Sequence, residues 1–337
     1  MLTSSHEKFP ILDGLRAISI LLVLACHLLP LGPKAARLNE TAGAMGMSLF
    51  FALSGYLITS GLMRNQNIQE FLARRLSRIL PLAYAYTLVV FLLLSFDPSS
   101  LLWTNLFVVN YQTQYLNEWN GHFWSLCVEM QFYLAIACVV LVGGRRGLWI
   151  VWPACVAITL LRLNAGAYIE IKTHLRVDEI LAGACIATLY SERTKIGAPL
   201  VLVVLAALLW AASASPLLGA AQYLRPYATA LLLAVSLHYG SSRPHTVLAS
   251  APLKYIATIS YALYVIHPAT AAGWMNTGDV FSKYLLKRPF SFALTFILAH
   301  LSTFYWEKRW QDAARDWIRR RRFTRSGQVT AAPPVRS

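Results

Sequence analysis

Along the chain, long apolar stretches alternate with short polar ones, and their length rather than an α or β periodicity is the first signal. The first stretch runs from Leu12 to Pro30 and the second covers residues 46–63. A third spans about Ile79 to Phe96, and a fourth runs from His122 to about Val142. Five more follow, at about Leu148 to Leu161, Leu175 to Tyr190, Ala198 to Ala212, Pro226 to Gly240 and Tyr255 to Ala272, and a last one runs from Pro289 to Trp306. Bilayer-crossing helices need about 20 predominantly apolar residues, so this pattern predicts an all-α polytopic membrane protein with about ten transmembrane helices. Residues 101–117 are apolar but short and interrupted by Asn105, Asn110, Gln112 and Gln114. They are read as an interfacial or re-entrant segment.

Composition agrees with that class: 57% of residues are hydrophobic, 13% are charged and the mean hydropathy is +0.50. The first stretch is long and lacks a small-residue cleavage site, so it is expected to stay as an anchor. A net charge of +15 would suggest nucleic acid in a soluble protein. Here the basic residues cluster at stretch ends, which points to topology instead and excludes nucleic acid as the expected partner. Arg64, Arg74, Arg75 and Arg78 mark an inner loop between the second and third stretches, Gly-Gly-Arg-Arg-Gly marks another, and Arg319 to Arg322 mark an inner tail. With Lys8 ahead of the first stretch, both termini are expected in the cytoplasm. Residues 1–310 read as one membrane domain and 311–337 as a basic tail, disordered towards Gly327, Pro333 and Pro334. Cys26, Cys127, Cys138, Cys155 and Cys185 lie in apolar stretches without metal-ligand or disulfide spacing, so no metal is expected.

Ionisable groups inside such stretches mark candidate working sites, because they are costly in hydrocarbon. The first stretch holds Asp13, Arg16 and His27. Arg16 and His27 are eleven residues apart, roughly 16 Å and about three turns, so they share one helix face at different depths. In the predicted topology, His27, Ser54, His122, Trp124, Glu129, Arg176, Asp178, Glu179 and His267 fall towards the outer side and can converge on one cavity. Each has a plainer reading: Glu129 paired with an arginine for packing, Arg176 and Asp178 at a solvated helix start, His267 ending a helix before Pro268, and the basic loop serving topology alone.

These segments carry a resemblance. The run LDGLRAISILLVLACH, followed in order by FFALSGYLI, FLARRLSRILPLAY, WSLCVEMQFYL, RVDEILAGA, ISYALYVIHP and FYWEKRW, resembles the acyltransferase-3 family of bacterial membrane proteins over nearly the whole chain. In the last segment Trp310 follows Lys308 and Arg309 where a proline is expected soon after the glutamate, which leaves Glu307 without a matched role. The resemblance implies about ten helices in a bacterial inner membrane. It also implies transfer of an acyl group, usually acetyl, from acyl coenzyme A to a hydroxyl of a cell-envelope or lipid-linked glycan, with Arg16 and His27 as the matching key residues.

Thioester-to-hydroxyl transfer needs a base and a polar pocket for negative charge. His27 is the expected base, with Glu129 as first and Asp178 as second carboxylate partner. Arg16, Arg74, Arg75 and Arg78 are the expected holders of the coenzyme A phosphates from the inner side, because a guanidinium offers phosphate a planar fork of donors. Trp124, Arg176 and His267 are the expected acceptor-binding residues, and Asn110, Gln112, Gln114 and Asn120 are either glycan ligands or loop residues. Direct transfer and an acyl-imidazole intermediate both remain open. The competing class is a proton-coupled transporter of a sugar or acyl intermediate with His27 and Glu129 as relay; an inactive homologue acting as partner or sensor is a third.

Overall fold

The computed structural model describes residues 10–94, 97–189, 199–238 and 247–330, with side chains as far as residue 322. Lys8, Phe96, Tyr190, Ala198, Gly240, Pro333 and Pro334 lie outside the described residues. Within them the protein is all-helical. In chain order the main helices are α1 (Pro10–Leu28), α2 (Leu38–Arg64), α3 (Ile68–Leu94), α4 (Pro98–Asn105), α5 (Phe123–Gly147), α6 (Val151–Asn164), α7 (Asp178–Leu189), α8 (Leu200–Ala214), α9 (Arg225–His238), α10 (Ala251–Ala271), α11 (Arg288–Leu301) and α12 (Lys308–Thr330).

By length and composition, four of the described helical stretches can cross a membrane, and a fifth if the pair around a 118° bend, Leu200–Ala214 with Pro216–His238, is one span. This falls short of the ten expected, because several apolar stretches fold into helices too short to qualify alone. At 1.5 Å per residue α7 reaches only about 18 Å. The exposed leucines and valines of α8, and those of α3 near Leu92, face outward as a lipid-contacting surface would.

Two boundaries differ from expectation. Arg74, Arg75 and Arg78 lie in the first three turns of α3 and not in a loop. Helix formation there starts early because Asn67 caps it: its Oδ1 accepts from the Glu70 backbone N–H at 3.1 Å. Good helix formers then carry the helix into the apolar stretch. The tail is also helical, with Gly327 inside α12. Arg322 donates to both Glu70 carboxylate oxygens, at 2.8 and 2.5 Å, and so ties α12 to the start of α3. Residues 101–117 form α4 and two single 3-10 turns. Asp97 caps α4 by accepting from the Ser100 N–H at 2.9 Å, with Pro98 at the first helical position, where its missing N–H costs nothing.

The centre of the bundle is the crossing of α2 and α7. A Cβ built on Gly55 would lie 1.8 Å from the Ile180 carbonyl oxygen, and one on Gly183 1.9 Å from that of Ala52. Each helix backbone therefore occupies the space where the other's side chain would be, the close approach that small residues permit between helices in a membrane. The α1–α2 crossing uses the same device at Gly46, whose carbonyl accepts from the Ser19 hydroxyl at 2.8 Å. These two crossings bring His27, Met47 and Arg176 to one cavity.

Candidate active site

A cavity of about 550 Å³ opens between the ends of α1, α2, α5 and α10, with His27, His122, Trp124, Arg176, His267 and Arg288 among its walls. That volume is in the usual range for a small-ligand site. His27 is exposed to this space, in the last turn of α1. Its ring centroid lies 5.2 Å from that of His267, which in turn lies 5.5 Å from that of His122. The expected topology places all three histidines on one side, and the structure sets them in a row along one cavity.

The tautomers of two of the rings follow from their hydrogen bonds. Pro268 lies inside α10 and has no N–H, so the Tyr264 carbonyl, four residues earlier, loses its helical donor. His267 replaces it: its Nδ1 is 2.7 Å from that carbonyl, and since a carbonyl only accepts, Nδ1 carries the proton. Pro268 thus does not end the helix, which continues to Ala271; its effect is to orient His267. His122 likewise donates from Nε2 to the Val265 carbonyl at 3.1 Å, and its buried Nδ1 has no partner. In the neutral rings, His267 Nε2 and His122 Nδ1 therefore present lone pairs. The Tyr264 hydroxyl donates to the His122 carbonyl at 2.6 Å and lies 2.6 Å from the Ser125 hydroxyl, locking this wall together.

The carboxylates expected beside His27 have other partners. Glu129 accepts from the Ser54 hydroxyl at 2.8 Å and the Tyr133 hydroxyl at 2.7 Å. It acts electrostatically on Arg16 together with Asp13, Arg75 and Arg78. Glu129 is thus engaged by Ser54 and Tyr133 in the electrostatic neighbourhood of Arg16, and does not serve as the expected partner of His27. Asp178 is fully buried and bonded to Arg162 Nη1 at 2.5 Å. His267 stands beside His27 where a carboxylate partner was expected.

Arg16 is buried on the face below His27 and lines a second, much smaller cavity. The two cavities share Val23, Met47 and Tyr264, so these three side chains form the partition between the Arg16 level and the His27 level. Phe50 closes the lower cavity and stacks on Tyr264 with ring centroids 6.2 Å apart and planes 9° from parallel. Arg75 lies over the Tyr133 ring at 5.8 Å. Arg74 is half-exposed and pairs with Glu70 at 3.2 Å, apart from the Arg16 cluster.

Asn110 and Asn120 are structural rather than open to ligand. Asn110 donates to the Ile171 carbonyl and the Thr173 hydroxyl, and Asn120 to the Thr104 hydroxyl and the Tyr115 carbonyl. Gln112 and Gln114 bond to each other at 2.8 Å at the surface.

Arg176, by contrast, faces the cavity. It packs against the Trp124 and Phe51 rings at 5.4 and 5.9 Å and pairs with Glu179 at 3.3 Å. Glu179 is also held by Arg225 Nε at 2.6 Å, and Arg162 and Arg225 both donate to the Tyr168 carbonyl. Sequence reasoning assigned no role to Arg162, Arg225 or Arg288. A signal was present: all three are basic residues at stretch ends that the charge pattern places outside, where topology gives no reason for them.

Comparison with known proteins identifies the family. The family profile described as an acyltransferase domain matches residues 9–304. Among similar proteins, peptidoglycan O-acetyltransferase OatA of Listeria monocytogenes is 23% identical over 88% of this chain and 55% of its own length. O-acetyltransferase OatA of Staphylococcus aureus is 32% identical over 40% of this chain and 25% of its own. YrhL of Bacillus subtilis, provisionally named a peptidoglycan O-acetyltransferase, is 33% identical over 42% of this chain and 25% of its own. The chain thus spans between a quarter and just over half of these relatives, and no solved structure matches it. With the profile covering most of its length, the chain belongs to the acyltransferase-3 family of membrane acyltransferases.

Proposed function

We propose that this protein is a multi-pass inner-membrane O-acetyltransferase that moves an acetyl group from cytoplasmic acetyl coenzyme A to a hydroxyl of a cell-envelope or lipid-linked glycan. The names of the relatives, which concern peptidoglycan O-acetylation, support a glycan acceptor. In this reading both termini are cytoplasmic, residues 1–310 are the catalytic unit and 311–337 a basic tail. The short helices α6, α7, α9 and α11 complete a ten-span bundle together with the longer ones.

The observation that carries the reading is the pair of cavities on one face of α1, separated only by Val23, Met47 and Tyr264. Arg16, with Arg75 and Arg78 in its electrostatic neighbourhood, takes the phosphates of the donor at the inner level. The extended pantetheine arm passes the partition and delivers the thioester to the His27 level, while the acceptor enters the larger cavity. His27 removes the hydroxyl proton, the oxygen attacks the thioester carbonyl carbon, and the C–S bond breaks on collapse of the tetrahedral intermediate. The coenzyme A thiolate leaves with the proton that His27 held. His267 Nε2, lone pair outward, accepts from the second N–H of the imidazolium and stabilises it. Glu129 keeps Arg16 oriented and does not act as the partner of His27.

The test is free-thiol release from acetyl coenzyme A by the full chain in lipid, with and without a bacterial glycan extract, beside His27→Ala. Release that depends on both the extract and His27 is expected; release independent of His27 refutes the assigned base.

A further inference from the structure

The buried charges behind the cavity do not balance. Arg162, Arg176 and Arg225 are ion-paired with two carboxylates, Asp178 and Glu179, and all five are at most 2% exposed. Three cations against two anions leave one positive charge in excess. Arg162 and Arg225 are the close partners, at 2.5 and 2.6 Å, whereas Arg176 reaches Glu179 only at 3.3 Å. Of the three, Arg176 is the cavity wall residue, and its Nε and Nη1 have no hydrogen-bond partner. A buried guanidinium with open donors is costly unless something accepts from it.

A second cation repeats the pattern on another wall. Arg288 is 4% exposed and held by the Ala271 carbonyl at 2.9 Å and the Asn276 side-chain oxygen at 2.7 Å, with its buried Nε unpartnered. Two acids also reach this cavity. Glu40 is neutralised by Arg37 one turn away, and Glu118 accepts from the Gly273 N–H at 3.5 Å. The cavity as a whole keeps a positive balance, and two of its wall residues, Arg176 and Arg288, carry buried nitrogens that no group among the described residues accepts from.

We propose that the acceptor carries an anionic group, a carboxylate or a phosphate, and that Arg176 and Arg288 hold it while its hydroxyl is offered to His27. This rests on the acetyltransferase reading for the hydroxyl but not for the anion. The Trp124 ring beside Arg176 gives the adjoining sugar an apolar face to stack on.

The experiment measures equilibrium binding to the full chain in nanodiscs of three probes: a glucuronate-containing disaccharide, its neutral methyl ester, and farnesyl-pyrophosphate-linked N-acetylglucosamine. At least one anionic probe is expected to bind tenfold or more tighter than the ester, and which one identifies the source of the charge. Arg288→Gln and Arg176→Gln should each remove most of that preference, and Arg176→Lys should retain part of it. Arg288→Gln leaves the ion-paired cluster intact, so its result stands even if Arg176→Gln misfolds. Equal binding of acid and ester, with no binding of the pyrophosphate probe, overturns the proposal; so does a preference that survives both glutamine variants. If anionic probes bind but are never acetylated, the transferase reading fails while this one holds. If neutral and charged acceptors are acetylated with equal kcat/KM, the reverse is true.

Discussion

At the scale of single residues, the site is organised by which polar atoms are left open after the fold has satisfied the rest. His27→Ala removes the proposed base but little packing, since the ring faces open space. It should lower turnover by about 10²-fold or more, the range of general base catalysis, with an unchanged melting temperature. A His27→Ala protein that turns over normally would remove His27 from the mechanism. His267→Gln keeps a polar group near the Tyr264 carbonyl but loses the imidazole lone pair, so kcat should fall while donor KM stays within about twofold. A change in KM alone would assign His267 to binding. Glu129→Gln tests the revised placement of that acid. Because Glu129 belongs to the Arg16 cluster, the substitution should raise donor KM; an effect on kcat alone would return Glu129 to His27.

At the scale of elements, the α2–α7 crossing holds the site, and it depends on two glycines whose absent side chains let the backbones meet. Gly183→Ala would place a methyl 1.9 Å from the Ala52 carbonyl oxygen, backbone that cannot yield without moving α2. A loss of about 1–3 kcal/mol is expected from overpacking, read as a lowered melting temperature in detergent; a wild-type melt would mean the helices can part without cost. The ion-paired cluster makes a second demand on α7. Arg225→Met leaves Glu179 buried with only its 3.3 Å partner, and breaking such a pair from one side costs about 3–5 kcal/mol. By contrast, Arg322→Ala at the half-exposed α12–α3 contact should change stability by under about 1 kcal/mol.

At the scale of the whole molecule, the bundle places its polar chemistry in two levels along α1 and its apolar side chains outward. The family assignment and the membrane class were legible in the sequence, because apolar length and the ordered segments survive without knowledge of contacts. The residues Arg16 and His27 were legible too, since ionisable groups in an apolar stretch stand out against it. The count of spans was less so: hydropathy reports that a stretch is apolar, but not how long a helix it folds into, and α7 and α9 are only 12 and 14 residues long. The start of α3 differs from expectation for a related reason. Arginines were assigned to a loop by topology, although their helix propensity and the Asn67 cap favour continuing the helix.

What the sequence determined by itself was chemistry confined to one element: the shared face of Arg16 and His27, the apolar stretches, and the basic ends. These depend on the rise and period of a helix and on the cost of charge in hydrocarbon, which are local properties. Tertiary structure alone decided the pairings. It separated Glu129 from His27, joined Asp178 to Arg162, set His267 beside His27 through a carbonyl that Pro268 leaves open, and left the cavity-wall residues Arg176 and Arg288 with buried nitrogens unpartnered among the described residues. Partners more than a hundred residues apart, such as His122 and Val265, meet only once helix crossings fix depth and rotation, and no spacing along the chain encodes that meeting.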